Sequence, residues 1–193
     1  MEEKQIGFAF CGSYCTYGKA MEALEGVAAR WGRVVPIVSE SGVVTDTRFG
    51  EAHEWMMEME RICGRRPITS IKEAEPIGPK KLLDALVICP CTGNTLGKLA
   101  NGIADTCVTM AAKSHLRNGR PVVLAVSTND ALAGSAENIG KLLARRDFYF
   151  VPFRQDDPAG KPRSLVADFG LVVQTVAAAL AGQQIQPIVL GPA

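Results

Sequence analysis

The chain has 193 residues, 47% of them hydrophobic and 21% charged, which excludes intrinsic disorder as its main state because there is ample apolar surface to offset chain entropy. Lys and Arg number 21 against 20 Asp and Glu, a net charge of +1, so the broad basic footprint of a nucleic-acid-binding protein is missing. No apolar run approaches the roughly 20 residues that a membrane-spanning helix needs.

In chain order, strand and helix signals alternate. Residues 5–10 (QIGFAF) form a short apolar run that enters a Cys11-Gly12-Ser13 turn, the signature of a buried strand. Met21, Leu24, Val27, Ala28 and Trp31 then repeat at helical spacing, and Gly32 stops them. Residues 33–38 (RVVPIV) read as a second strand, with Pro36 as a mild objection. A second helix spans 50–63 on a stripe of Ala52, Trp55, Met56, Met59 and Cys63, a pattern that belongs to a core. Residues 67–69 suggest a short strand and 84–89 (DALVIC) a strong one ending at Pro90. Helices are expected over 96–100 and 105–114, a strand over 120–126, a helix over 137–146 and a strand over 148–151. A polar loop over 154–164 leads to a last helix over 165–181, with Ser164 as its N-cap.

Continuous apolar strands separated by amphipathic helices predict a Rossmann-like, doubly wound parallel sheet of about six strands in a three-layer α/β/α sandwich. One unit is expected over residues 1–182, followed by a loose tail over 183–193. Such sheets bind ligands at the carboxyl ends of their strands, where the winding reverses. With strand order 3-2-1-4-5-6, that point lies between the first strand and the 84–89 strand.

Three loops could carry chemistry. Residues 12–20 (GSYCTYGKA) are a near miss to a phosphate-binding P-loop: five residues separate the glycines, and Ala20 stands where a hydroxyl should hold magnesium. What remains is a Gly/Ser turn at a helix start, able to donate amides to an anion. Ser39-Glu40-Ser41-Gly42 reads either as phosphate-contacting hydroxyls or as a helix cap. Residues 90–95 (PCTGNT) offer a turn in which Asn94 can both donate and accept. The six cysteines contain no zinc-knuckle spacing, and two histidines, His53 and His115, supply a metal site poorly, so none is expected. Met1-Glu2-Glu3-Lys4 carries no secretory pattern, so the expected compartment is the reducing cytoplasm.

Residues 90–95 followed by 96–105 (LGKLANGIAD) resemble the signature of the FMN-binding flavoproteins, which include phosphopantothenoylcysteine decarboxylase, peptidyl-cysteine decarboxylases and flavin prenyltransferases. The resemblance implies that Gly12, Ser13 and Ser39 meet the FMN phosphate and that Thr92, Asn94, Thr95 and Asn129 meet the flavin. It also implies a homo-oligomer, a trimer or a multiple of one, with the flavin between protomers. The sequence departs from the decarboxylases where they place a catalytic His before an Ile: Pro76 precedes Ile77 here. Proline cannot move a proton, which argues against cysteine decarboxylation.

The wording of residues 87–95, 125–130 and 151–158 is similar to a branch of the family that forms one subunit of a two-subunit enzyme of sporulating bacteria. That similarity implies a separate subunit carrying NAD(P), a small dicarboxylate substrate that loses two hydrogens, and the mother-cell cytoplasm. A dianionic substrate calls for cations, and Arg48, Lys161 and Arg163 are candidates because each lies in a loop near a strand end. Tyr14, Cys91 and His115 are the available proton-transfer groups, none with a clear claim. The alternatives are a non-catalytic scaffold for the other subunit, or a decarboxylase or prenyltransferase acting alone.

Overall fold

The computed structural model describes residues 4–191, so most of Met1-Glu2-Glu3-Lys4 lies outside the described residues. The chain opens with β1 (Gln5–Phe10), whose last five residues are buried. A 3₁₀ turn at Tyr14–Thr16 leads into α1 (Tyr17–Trp31), which buries Ala20, Met21, Leu24 and Val27. Gly32 ends it at φ 71°, donating to the Ala28 carbonyl. β2 (Arg33–Val38) pairs parallel to β1 with Phe8 opposite Pro36. The Pro36 carbonyl accepts from the Ile68 amide at 2.9 Å, so the proline's missing N–H falls on the outer side of β2, where it costs the β1–β2 ladder nothing.

Ser39 caps the short α2 (Glu40–Val44), and α3 (Ala52–Cys63) stops at Gly64 as its stripe predicts. The strand expected over 67–69 shrinks to one bridge, Ile37 to Ile68. α4 (Ile71–Ala74) is a single turn held by a Ser70–Glu73 capping box. β3 (Ala85–Cys91) is buried at every position and continues through Pro90 to Cys91, with a register shift against its neighbour between Ile88 and Cys91. α5 (Gly93–Ala100) and α6 (Cys107–Leu116) follow, capped by Thr92 and Thr106, then β4 (Val122–Thr128), α7 (Ala136–Leu143) and β5 (Phe148–Phe150).

The parallel order is β2-β1-β3-β4-β5, with the Ile68 bridge outside β2. The expected order therefore holds, its third strand reduced to one residue, and the winding reverses between β1 and β3. α1 and α8 (Val172–Leu180) pack on one face of the sheet, and α5, α6 and α7 on the other.

Two expectations change. The last helix begins at Val172, seven residues after the expected start. Before it, β6 (Phe153–Arg154) and β7 (Leu165–Ala167) form an antiparallel extension of β4, with Thr128 opposite Leu165 and Arg154 opposite Val166. Three-residue strands are too short to show a period, so the apolar Leu165, Val166 and Ala167 merge into the helical pattern beyond them. Ser164 caps nothing; its hydroxyl donates to Asp156 Oδ1 at 2.6 Å, and Asp168 caps the turn that starts the helix. The tail is also not loose over 183–191. Gln184 pairs with both backbone groups of Phe150 at 2.7 Å, and Phe153 bonds to Ile188 and Leu190. The short edge strands leave backbone groups that the tail satisfies. Pro192 and Ala193 lie outside the described residues.

Gly78 fixes how closely the 75–78 turn meets α6: a Cβ there would fall 2.4 Å from the Ser114 carbonyl oxygen, a backbone atom. Gly78→Ala is expected to cost about 1–3 kcal/mol in urea unfolding. Gly140→Ala, in α7 with open space around it, should instead stabilise by about 0.4–1 kcal/mol.

Candidate functional site

The reversal between β1 and β3 brings the 11–16 turn, the start of α2 and the start of α5 together at the carboxyl end of the sheet. They enclose a cavity of about 520 Å³, within the 300–1,000 Å³ range of ligand pockets. Gly12, Ser39, Thr92, Asn94 and Thr95, five of the candidate residues, line it.

Each is placed by local physics. Ser13 lies in the left-handed region at φ 64°, uncommon for a residue with a Cβ. Its hydroxyl donates to the Ser127 carbonyl at 2.8 Å, and its carbonyl accepts the Thr16 hydroxyl at 2.8 Å. These bonds reverse the chain so that Gly12 and Tyr14 face the cavity while the Ser13 side chain ties β1 to β4. Gly12 faces Thr92: a Cβ there would make ordinary contact with Thr92 Cγ2, at 3.4 Å. Thr92 accepts from the Thr95 amide at 3.2 Å and donates to the Thr95 hydroxyl at 3.1 Å. Ser39 accepts from the Gly42 amide at 3.3 Å and meets the Ser41 hydroxyl at 3.2 Å. The helix-cap and ligand readings of Ser39 are therefore compatible, because the capping residue also lines the cavity.

The charged lining goes beyond the sequence-based expectation. Glu40 accepts from the Cys107 amide at 2.8 Å, placing its carboxylate at the positive end of α6. Lys98 pairs with Asp105 at 2.9 Å. A signal for Lys98 exists in the sequence: it follows Asn94 by four and Thr95 by three, so all three share one helix face.

The other candidates lie elsewhere. Asn129 is exposed just beyond β4, outside the cavity lining. Arg48 stacks at 4.8 Å over Phe49, Lys161 pairs with Asp156 at 3.1 Å, and the Arg163 carbonyl accepts the Leu132 amide at 3.0 Å. The last bond sets Arg163 beside the turn after β4, on the same side of the sheet as the cavity but outside it.

The proton-transfer candidates thin out as well. Burial pushes the Cys11 thiol up to about 11, despite the Thr95 hydroxyl, the Thr92 backbone and Lys98, and burial also holds the Cys91 thiol well above its ordinary value. The Tyr14 hydroxyl donates to the Ser41 carbonyl at 3.1 Å. His53 is exposed and pairs with Glu51 at 3.3 Å. His115 sits fully buried against Pro121, Arg120 and Asp84, where β3 and β4 begin, at the opposite end of the sheet.

This donor set fits a phosphorylated flavin. Hydroxyls, the opening turn of α5, one ammonium and a glycine that leaves room for close approach suit an anionic, heterocyclic group; they do not suit a metal. The residues that would hold FMN are Gly12, Ser39, Thr92, Asn94 and Thr95.

The Flavoprotein family profile matches residues 1–180. The chain belongs to the Flavoprotein family. Within it, the chain is 46% identical over 190 residues to the B subunit of dipicolinate synthase from Bacillus subtilis, covering 98% of this chain and 95% of that one. The crystal structure of the corresponding B subunit from Bacillus halodurans superposes with a TM-score of 0.89 at 44% identity, covering 98% and 97% of the two chains. An FMN-dependent cysteine decarboxylase shares the fold at a TM-score of 0.64 and 20% identity, covering 92% and 97%. Among the described residues of this flavoprotein, no helix is long and apolar enough to cross a membrane.

Burial lowers the His115 pKa from 6.5 to about 4, and its Nδ1 lacks a hydrogen-bond partner. The unfolded chain therefore takes up a proton before the folded one does. Stability should fall as pH drops from 6.5 towards 4, by up to about 3 kcal/mol from this residue, and level off below. Denaturant unfolding across that range should show the slope in the wild type and a shallower one in His115→Gln.

Proposed function

We propose that this chain is the flavin-holding B subunit of a dipicolinate synthase. It acts with a separate A subunit to remove two hydrogens from dihydrodipicolinate, giving aromatic dipicolinic acid in the mother-cell cytoplasm of a sporulating bacterium. The observation that carries this reading is the 46% identity along 190 residues to a protein of that name.

The site chemistry supports a dehydrogenation over a decarboxylation. Aromatisation transfers a hydride from a ring carbon and releases a proton. Bound FMN supplies a two-electron acceptor, and the protein need only bind and orient. A cavity rich in hydroxyls, without a histidine among its described lining and with its one cysteine, Cys11, buried as a neutral thiol, is equipped for that division of labour. Decarboxylation of a cysteine asks for a proton-transfer group, and Pro76 sits in the turn where the family's His is expected.

In this reading Ser39, Thr92 and Thr95 hold the phosphate end while Asn94 orients the ring. Asn129, exposed just beyond β4, reaches the flavin of a neighbouring copy in a trimer or a multiple of one. The exposed Val44, Phe49 and Met57 agree with such an assembly. Of the cations named from the sequence, Arg163, beside the turn after β4, meets a substrate carboxylate, and NAD(P) belongs to the A subunit as the final electron acceptor.

Mixing purified A and B subunits with dihydrodipicolinate tests the reading. Dipicolinate should form fastest with FMN and NAD(P) both present, and Asn94→Ala should lower the rate by about tenfold or more. A rate indifferent to FMN, with this chain still required, would make it a scaffold. Release of CO₂ from a cysteine-terminated substrate without the A subunit would make it a decarboxylase.

A further inference from the structure

Lys98 is the one cation among the described residues lining the strand-end cavity. Its side chain is 21% exposed, while its partner Asp105 is 58% exposed. A lysine this deeply set normally stands opposite a comparably buried anion, because removing an ammonium from water is costly. Asp105 answers only part of that need, since a carboxylate so open to solvent is screened.

The cavity's own carboxylate does not complete it. Glu40 is committed to the Cys107 amide at the positive end of α6. Lys98 is the cation of the lining, on the helix face that also carries Asn94 and Thr95, and it stands in the same wall as the Glu40 carboxylate. Its field reaches the floor of the first loop, where it opposes the burial that raises the Cys11 thiol.

We propose that Lys98 is the specificity-determining residue of this cavity: its ammonium takes the phosphate of the bound ligand, selecting phosphorylated over unphosphorylated flavin. The identity of that ligand as FMN rests on the function proposed above; the preference for a phosphate rests on Lys98 and the hydroxyls around it. Asp105 acts as a placeholder. It keeps Lys98 extended beside the cavity and gives it up to a dianion, which makes stronger charge-assisted hydrogen bonds than a solvated carboxylate.

Titrating the full chain with FMN and with riboflavin, followed by quenching of flavin fluorescence, tests this directly. K98M should weaken FMN binding about tenfold to a hundredfold and change riboflavin binding by less than about twofold. D105N removes the competing carboxylate and should tighten FMN binding alone, so the proposal remains testable even if K98M folds poorly. Unchanged FMN affinity in K98M, or an equal response of the two flavins to either substitution, overturns the proposal. If the wild type binds neither flavin, the flavin reading fails by itself. Lys98 then stands on whether inorganic phosphate raises the melting temperature of the wild type and leaves K98M unmoved; equal shifts in both would overturn it.

Discussion

Complete burial of β3 is the constraint from which the site follows. All seven residues from Ala85 to Cys91 are sealed, with β1 and β4 on the edges and helices on the faces. A strand closed on every side can meet a ligand only where it ends. Parallel strands end together, so β1, β2 and β3 deliver their next residues to one place. The Ser13 hydroxyl on the Ser127 carbonyl and the near contact of Gly12 with Thr92 are the local consequences. The site needs no separate scaffold, because the sheet aligns its loops.

The same geometry explains why capping hydroxyls are concentrated there. Every helix that starts at a strand end begins with unpaired amides. Ser39, Thr92 and Thr106 satisfy some of them, and each also lines the cavity. A hydroxyl donates as well as accepts, and Thr92 uses both, accepting from the Thr95 amide and donating to the Thr95 hydroxyl. The helix starts and the cavity wall thus share the same residues, so a substitution at Thr92 cannot be assigned to one role by activity alone.

Much of this is legible in the sequence where one residue type has one physical meaning. Gly32 and Gly64 end their helices because the left-handed turn there suits a residue without a Cβ. The apolar runs of β1, β3 and β4 admit no polar face, so a doubly covered sheet is the available answer. The β6–β7 hairpin is not legible, because two- and three-residue strands are specified by their partners and not by their own pattern. The tail departs from its expected looseness for a related reason: Gln184 is polar and looks solvated, and only the fold places the backbone of Phe150 opposite its amide.

The charged lining shows the limit more sharply. A lysine or glutamate in a helix is by default a solvated group, and taken alone Lys98 and Glu40 give no reason to think otherwise. What changes their meaning is the neighbour that each acquires in space: an amide at the start of α6 for Glu40, and Asp105 across the Asn101–Gly102 turn for Lys98. Both neighbours lie within or beside the stretch that resembles the FMN-binding flavoproteins. That stretch therefore carries more than the loop that lines the cavity at Thr92, Asn94 and Thr95. It also fixes where a carboxylate meets a helix end and where Lys98 joins the cavity lining beside Asn94 and Thr95.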